Sequence, residues 1–392
     1  MQRDTHKKYY QLHSWVGVVT SILLFVIAFT GAISVFGSPE LSIWANPSIR
    51  HTTETDWDAI DRIAQEHAEE VGPKFLEEVR ISPAGKRSFA NHTFIYEGHF
   101  EKEDGTEEHR AIWFSHDPKT LELVERKEGD IRELFEQRTW DFADFIVGFH
   151  ADLHLGNPIG LLLTGLLGLT LTLSIVTGVV IHKKILKELF TFRPFRSLRL
   201  MWQDGHKALS VWGILFHFAI AFSGAFLGLA TVVLIPAAAY VSFKGDTEAL
   251  VERFTTQTPP VTSGEAAPVK VGETFAAAYS NPEAEVVFDG LILGWGDKNA
   301  KMYFRATGKE QMGSISLLYT PANGEFVETF SNFGSLGGVS GPMLDVMFPL
   351  HFGNFGGPLV KTIWAILGVG TALVALTGMM LWVERRAYGP EG

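Results

Sequence analysis

The sequence predicts an α-helical membrane protein in which four transmembrane helices form two parallel repeats, each with an extracytoplasmic α+β domain. Three observations lead to this fold class. Four apolar stretches are each long enough to cross a bilayer. Short motifs recur in the second half of the chain at a nearly constant offset, and basic and acidic residues are sorted between alternate connecting segments. The chain has 392 residues, of which 46% are hydrophobic.

The apolar stretches set the predicted domain boundaries. The third is about 54 Å long as a helix, so we expect it to tilt, to kink near Pro236 or to project beyond the bilayer. The first lacks a small-x-small cleavage pattern and is predicted to be a retained span. The spans are residues 15–36, 158–181, 208–243 and 358–383. The other segments are the N-terminus 1–14, an α+β domain 37–157, a loop 182–207, a second α+β domain 244–357 and the C-terminus 384–392.

Alternate connecting segments differ in charge, and this difference predicts the topology. Residues 1–12, 182–207 and 384–392 together hold 12 Lys and Arg against 5 Asp and Glu, whereas residues 37–157 and 244–357 hold 20 against 39. Positively charged segments stay in the cytoplasm, so both termini are predicted inside and both large segments outside. The net charge of -11 belongs to these outer segments, which predicts no nucleic-acid partner.

The sequence pattern of each outer segment predicts a helix followed by antiparallel strands. In the first, "DWDAIDRIAQEHAEEV" has helical apolar spacing, and "HTFIYEGHF" and "AIWFSH" are typical of strands joined by a turn. In the second, "VGETFAAAYS" predicts the helix, and "AEVVFDGLILGW", "AKMYFRATG", "GSISLLYT" and "EFVETF" predict the strands. The same order of elements therefore occurs twice.

The motifs of the two halves match in order. "AFTGA" returns as "AFSGA" 193 residues later, and the same offset lays His13 on His206. A Leu-His-hydrophobic-Gly-Asn motif contains His154 and returns at His351, and "VTGVV" returns as "LTGMM". Each half enters the membrane from the cytoplasm and returns there, so the repeats are predicted to be parallel, related by an axis along the membrane normal.

These matched histidines predict two haem sites. The sequence has no cysteine, which excludes disulfides, iron–sulfur clusters and covalently attached haem. His13 and His206 begin the first and third spans at the cytoplasmic face, and His154 and His351 precede the second and fourth at the outer face. Ionisable groups next to a span face the bundle interior or a cofactor. A b-type haem takes one neutral imidazole on each side of its iron, so we expect one haem b per pair.

Three other histidines are alternative ligands. His182 competes for the inner site and His150 for the outer one, but their repeat counterparts are Trp382 and Met347. His217 lies about 16 Å deeper than the inner site and is expected to be a hydrogen-bonded bundle histidine.

The histidines of the outer segments are not expected to bind a cofactor. They alternate with polar residues, a pattern typical of a solvated surface. They are His51, His67, His92, His99, His109 and His116.

Three stretches of the chain resemble the PepSY-associated transmembrane proteins, an iron-regulated family of the bacterial inner membrane. They are "HKKYYQLHSWVGVVTSILLFVIAFTGAISVF", "HLGNPIGLLLTGLLGLTLTLSIVTGVVIHKK" and "HKALSVWGILFHFAIAFSGA". Some members are similar to ferric-siderophore reductases that hold two b-type haems in four transmembrane helices. The resemblance implies an inner-membrane location, PepSY-like character for both outer domains, and a ferric siderophore as the substrate.

Two functions from different classes follow. The first is a haem-dependent ferric-siderophore reductase at the outer face, with residues 140–150 and the Gly-rich segment 332–342 as walls of its site. Oxygen ligands bind Fe(III) tightly and Fe(II) weakly, so reduction releases the iron. Motifs for nicotinamide, flavin or ATP are missing from the sequence, so the expected electron donor is a membrane quinol, a free reduced flavin or a partner reductase. The alternative is a non-enzymatic PepSY membrane sensor or protease-modulating protein.

Overall fold

The computed structural model describes residues 3–45, 55–84, 91–101, 105, 107–136, 142–182, 197–247, 249–250, 257–308, 313–331 and 340–387. The chain divides into two compact units, and each unit takes segments from both halves of the sequence. The helical unit consists of Met1–Val35, Ile146–Leu250 and Leu350–Gly392. The sheet unit consists of Phe36–Phe145 and Val251–Pro349.

The helices are α1 (Arg3–Ser34), α2 (Ser42–Ala45), α3 (Trp57–Val71), α4 (Ile131–Glu136), α5 (Phe142–Asp152), α6 (Ile159–Ile181), α7 (Leu198–Trp212), α8 (Ile214–Leu229), α9 (Ile235–Phe243), α10 (Val271–Tyr279), α11 (Ser340–Phe352) and α12 (Gly357–Ala387). The strands are β1 (Glu78–Ser82), β2 (His92–Glu101), β3 (Glu107–His116), β4 (Leu123–Asp130), β5 (Ala284–Leu293), β6 (Lys301–Gly308), β7 (Ser314–Thr320) and β8 (Glu325–Ser331).

Four helices are long and apolar enough to cross a membrane, the number that the sequence predicts. They are Asp4–Ser34, Ile159–Ile181, Ile214–Phe243 and Gly357–Ala387, with mean hydropathies of 2.5, 2.2, 2.3 and 2.0. The third differs in detail from the prediction. It starts after a break at Gly213, so residues 208–212 belong to α7, and a π-helical turn at Ala230–Leu234 precedes the predicted kink residue Pro236.

Small residues allow the spans to pack closely. α1 lies along α6 and α12, while α6 packs on α8. Where α6 meets α8, a β-carbon on Gly168 would lie 2.7 Å from the amide nitrogen of Ala225, and one on Gly228 would lie 2.8 Å from the α-carbon of Gly165. Apolar surface alone does not drive helices together in lipid, so this close van der Waals contact holds α6 against α8.

The sheet unit contains one antiparallel sheet of eight strands in the order β4-β3-β2-β1-β5-β6-β7-β8. The strands that the sequence distributes over two α+β segments are therefore hydrogen-bonded into a single structure. The junction is the pairing of β1 with β5, in which Val79 lies opposite Ile292 and Ile81 opposite Gly290. Both segments contribute four strands and a helix that packs on them, α3 from the first and α10 from the second.

The core of the sheet unit lies between the sheet and the helices α3 and α10. Ile60 and Phe275 from the helices and Phe94 and Phe304 from the strands are fully buried in one cluster. Trp57 stacks on Phe275 with ring centres 5.3 Å apart. Burying a side chain of this size contributes about 1.5–3 kcal/mol, so residues from both segments stabilise the same core.

Candidate cofactor site in the helical unit

Each spanning helix of the helical unit carries a hydroxyl residue followed by glycine within its apolar stretch. These dipeptides are Thr30-Gly31 in α1, Thr177-Gly178 in α6, Ser223-Gly224 in α8 and Thr377-Gly378 in α12. Residues three and four apart share a helix face, so the hydroxyl and the glycine lie beside the carbonyl of the preceding turn. We call this arrangement of carbonyl, hydroxyl and glycine a seat. Every seat receives one imidazole from another helix.

The seats of α6 and α12 receive His13 and His206. The Nδ1 atom of His13 lies 2.9 Å from the carbonyl oxygen of Ser174 and 3.2 Å from the hydroxyl of Thr177. The Nδ1 atom of His206 lies 3.0 Å from the corresponding carbonyl of α12 and 3.1 Å from the hydroxyl of Thr377. The two contacts match residue for residue.

The seats of α1 and α8 receive His150 and His351. His150, in the last turn of α5, places Nδ1 2.8 Å from the carbonyl oxygen of Ile27. His351, in the last turn of α11, places Nδ1 3.0 Å from the hydroxyl of Ser223. Burial lowers the pKa of His351 to about 3, with the charge of His150 adding to the effect, and burial also lowers the pKa of His150. Both rings are therefore neutral, as a metal ligand must be.

The glycine of each seat makes room for the ring. A β-carbon there would lie 3.3 Å from the imidazole Cε1 at Gly178, 3.2 Å at Gly378, 3.0 Å at Gly224 and 2.6 Å at Gly31. Contacts this short force a neighbouring group to move, so a larger residue would push the imidazole out of place. The glycines therefore fix where the rings lie.

The hydrogen bonds also fix the tautomer. Thr177 and Ser223 each donate the hydroxyl proton to a carbonyl of their own helix, at 2.7 Å in both cases. The hydroxyl oxygen must then accept a hydrogen bond from the imidazole, so Nδ1 carries the proton and Nε2 the lone pair. Within the part of the chain that the structure describes, no residue bonds to Nε2 of His13, His150, His206 or His351. The Nε2 lone pair of each of these four rings is therefore available to a metal ion.

The four rings form two pairs. The ring centres of His13 and His206 are 6.4 Å apart, and those of His150 and His351 are 5.9 Å apart. Two imidazoles that bind one metal from opposite sides, with bonds of about 2 Å, have ring centres about 6 Å apart. The spacing, the free Nε2 atoms and the neutral rings all fit the axial ligation of a haem iron.

A cavity of about 570 Å³ surrounds the His13–His206 pair. Most of its wall is apolar and comes from α1, α6, α7, α8 and α12. Lys207 and Arg385 also line it, and their charges suit the carboxylates of a haem. A flat, largely apolar macrocycle with acidic side groups matches this lining.

One of the two predicted histidine pairs is present in the structure, and the other has a different partner. His13 meets His206 as expected, but His351 meets His150 rather than His154. His154 lies in the turn after α5, in the left-handed region at φ 54°, and its ring stacks beside Phe149 at 5.8 Å. The two histidines that form this ring pair share one feature of the sequence. Aspartate stands six residues before His150 and six before His351, and both aspartates are buried.

The other two alternatives have different surroundings. His217 has both ring nitrogens bonded, Nδ1 at 2.8 Å from the hydroxyl of Thr371 and Nε2 at 3.0 Å from the carbonyl of Leu209. It has no lone pair left for a metal, as expected for a bundle histidine. His182 follows α6 directly and lines the same cavity as His13.

The prediction that the outer-segment histidines lie at the surface is wrong for three of them. His67, His92 and His116 are 7%, 2% and 6% exposed. His67 lies on α3, and this helix covers the face of the sheet that carries His92 and His116. The Nε2 atoms of His67 and His116 are 2.8 Å apart, and the Nδ1 atom of His116 bonds the carbonyl of Leu121 at 2.8 Å. Among the described residues, no group of three or more His, Asp or Glu could hold a metal ion.

Some predicted residues fall outside the structure. His51, residues 140–141 and most of the Gly-rich segment, 332–339, lie outside the described residues. The other predicted wall, residues 140–150, is largely described as α5, in which Phe142 and Phe145 are 47% and 50% exposed.

A bundle of four apolar helices with two imidazole pairs, together with an antiparallel sheet, defines a multi-span membrane protein with an additional domain. The chain matches the family described as the PepSY-associated TM region over residues 10–385, and it belongs to that family. It is also similar to an uncharacterized protein of Pseudomonas aeruginosa, with 24% identity over 262 residues. That match covers 63% of this chain and 65% of the relative, so the chain spans just under two thirds of the relative's length.

Proposed function

We propose that this protein is a transmembrane b-type haem oxidoreductase that passes electrons across the bacterial inner membrane and reduces a ferric siderophore at the periplasmic face. One observation carries the proposal. Four imidazoles in the helical unit are each held through Nδ1, face each other in two pairs about 6 Å apart, and keep Nε2 free. This arrangement supports two haem b groups per chain.

The charge distribution supports the orientation. In the proposed topology both termini and residues 182–207 are cytoplasmic, and the two halves are parallel repeats, each contributing a PepSY-like α+β segment to the periplasmic side. The His13–His206 pair is then the inner pair and the His150–His351 pair the outer pair. His13 and Ile27, the contact of His150, are 14 residues apart in α1, or about 21 Å. Both pairs therefore fit within one bilayer thickness.

The residues of this chain would perform three tasks. The paired imidazoles would hold the iron of each group through Nε2, and the seat glycines would leave room for the rings beside it. The apolar bundle excludes water from the path between the pairs. A haem bound in each pair would supply a one-electron couple between ferric and ferrous iron. The electron source would be a membrane quinol, a reduced flavin or a partner reductase, and a two-electron donor would reduce two ferric siderophores.

The product follows from ligand chemistry. Each ferric siderophore takes up one electron, and its oxygen ligands hold the resulting Fe(II) weakly. The Fe(II) then leaves the chelate, whereas Fe(III) stays tightly bound. The acidic outer segments would favour neutral or cationic chelates over anionic ones, and salt would weaken this preference.

The test is a haem quantitation of the purified protein followed by a reoxidation experiment. We expect two non-covalent b haems per chain and a reduced-minus-oxidised spectrum of six-coordinate haem. After reduction with dithionite and removal of the excess, a ferric hydroxamate chelate should reoxidise the haems, with Fe(II) trapped by a chromogenic chelator. A colourless protein would overturn the proposal and favour the PepSY sensor. Haems that no ferric chelate reoxidises would overturn the reductase activity.

A further inference from the structure

The four seats share one pattern but are used in different ways. His13 and His206 contact both the carbonyl and the hydroxyl of their seats. His150 bonds the carbonyl of Ile27, whereas the hydroxyl of Thr30 bonds back to the carbonyls of its own helix. His351 bonds the hydroxyl of Ser223.

The repeat makes this a matched comparison. The offset of 193 residues that relates α1 to α8 places Ile220 opposite Ile27 and Ser223 opposite Thr30. The carbonyl of Ile220 lies 3.3 Å from the Ser223 hydroxyl oxygen, so the carbonyl acceptor is present beside the one that His351 uses. Of the four rings, His351 is the one whose described hydrogen bond goes to a hydroxyl alone.

The acceptor at Nδ1 changes the strength of the ligand at Nε2. A peptide carbonyl is a stronger acceptor than a hydroxyl oxygen, so it draws the Nδ1 proton further and raises the basicity of the ring. A more basic imidazole stabilises ferric over ferrous iron and lowers the reduction potential. A ring held by a hydroxyl has the opposite effect.

We propose that Ser223 is a positioning residue that makes His351 the least basic of the four ligands and gives the outer site a higher reduction potential than the inner site. The proposal rests on the proposed function, because it requires a haem in each pair. Its consequence is a direction of transfer. Electrons that enter at the inner pair move towards the outer pair, where the ferric substrate would accept them.

The first experiment assigns the potentials. A potentiometric titration of the purified protein, followed at the haem absorption bands, should show two one-electron transitions. We expect His351→Ala to remove the higher-potential transition and His206→Ala to remove the lower one. The opposite assignment would overturn the proposal, as would two transitions of equal potential.

The second experiment compares equivalent hydroxyls. Ser223→Ala leaves the carbonyl of Ile220 as the acceptor, so we expect the outer potential to fall towards the inner one. Thr30→Ala removes the matching hydroxyl in α1, whose described hydrogen bonds go to the carbonyls of Val26 and Ile27 in its own helix, and should shift the outer potential less than Ser223→Ala does. Ser223→Thr keeps the hydroxyl and should restore the wild-type value. An outer potential that Ser223→Ala leaves unchanged or raises would contradict the proposal.

The two proposals fail in different ways. A wild-type protein without haem would remove the proposed function itself. A protein with two haems in which Ser223→Ala and Thr30→Ala behave alike would remove only the role of Ser223. If Ser223→Ala loses the outer haem, the first experiment tests the proposal by itself. It then stands only if His351→Ala removes the higher-potential transition and His206→Ala the lower one.

Discussion

The paired histidines of the helical unit and the histidines of the sheet unit differ in how their ring nitrogens are used. In the helical unit, the paired rings bond through Nδ1 and leave Nε2 free. In the sheet unit, the ring of His116 is bonded on both sides, by the carbonyl of Leu121 and by His67. His109 lies 3.0 Å from Glu97 instead. The four paired rings therefore differ from the rings of the sheet unit in having one bonded nitrogen, one nitrogen without a described hydrogen bond, and a second imidazole about 6 Å away.

The largest expected effect separates His150 from His154. If the proposed function holds, His150→Ala should halve the haem content, because it deletes one of the two imidazoles that would hold the outer haem. His154→Ala should keep both haems, since its ring lies in the turn after α5. A pyridine haemochrome assay with protein quantitation measures the difference. Loss of a haem in the His154 variant with retention in the His150 variant would reverse the assignment.

The next effect concerns the seat glycines. Gly31→Ala places a methyl group 2.6 Å from the Cε1 atom of His150, so the ring must move and we expect haem affinity to fall about 10–100-fold. Gly370→Ala is the control, because a β-carbon there meets nothing within 4 Å. Transfer of haem to excess apomyoglobin measures the loss rate. Equal rates in the two variants would show that the seat does not position the ring.

A smaller effect is expected in the sheet unit as the pH falls. Burial lowers the pKa of His92 to about 4, and the charge of His116 adds to the effect. Between pH 6.5 and 4 the unfolded chain binds a proton at this residue, whereas the folded chain does not. The free energy of unfolding therefore decreases as the pH is lowered, by about 3 kcal/mol in total.

The check is hydrogen–deuterium exchange in β2 and β3 of the detergent-solubilised protein, corrected for intrinsic rates. His92→Asn keeps an acceptor for the amide of Ala84, which His92 now bonds at 3.0 Å, and removes the titration. We expect a flatter pH dependence in this variant than in the wild type. Parallel curves for the two proteins would show that His92 does not contribute.

The smallest effect is expected for an exposed histidine of the same sheet. His99 lies 2.9 Å from Glu77, with side chains 43% and 51% exposed. Ion pairs this exposed contribute about 0.2–1 kcal/mol, so His99→Gln should change the free energy of unfolding by no more than that at neutral pH. The same exchange experiment tests it. A change comparable with that of His92 would show that exposure is a poor guide to the contribution of these rings.

The sequence predicts much of the fold because its strongest signals are local. Hydropathy placed the second span at residues 158–181, and α6 is Ile159–Ile181. The repeat offset paired His13 with His206 because both lie at the same position of equivalent helices. Alternating apolar residues likewise predicted the strands, since one face of the sheet is buried under α3 and α10.

The features that the sequence did not predict depend on contacts between distant residues. The motif around His154 and His351 describes two similar turns, whereas the structure pairs His351 with His150, which lies in α5. The Asp-x5-His spacing is common to His150 and His351 but also occurs at His67, so it does not single out the pair. The burial of His67 and the joining of eight strands into one sheet also need partners from remote parts of the chain.

The β1–β5 pairing has a consequence for biosynthesis. The two strands are about 200 residues apart, so β1 waits roughly 10–40 s at translation rates of 5–20 residues per second before its partner is made. During this interval the edge of β1 that β5 will cover carries unpaired amide and carbonyl groups, which are prone to pair with other chains. The first half of the protein therefore leaves the ribosome as an incomplete sheet, and a chaperone that shields such an edge would raise the yield of folded protein.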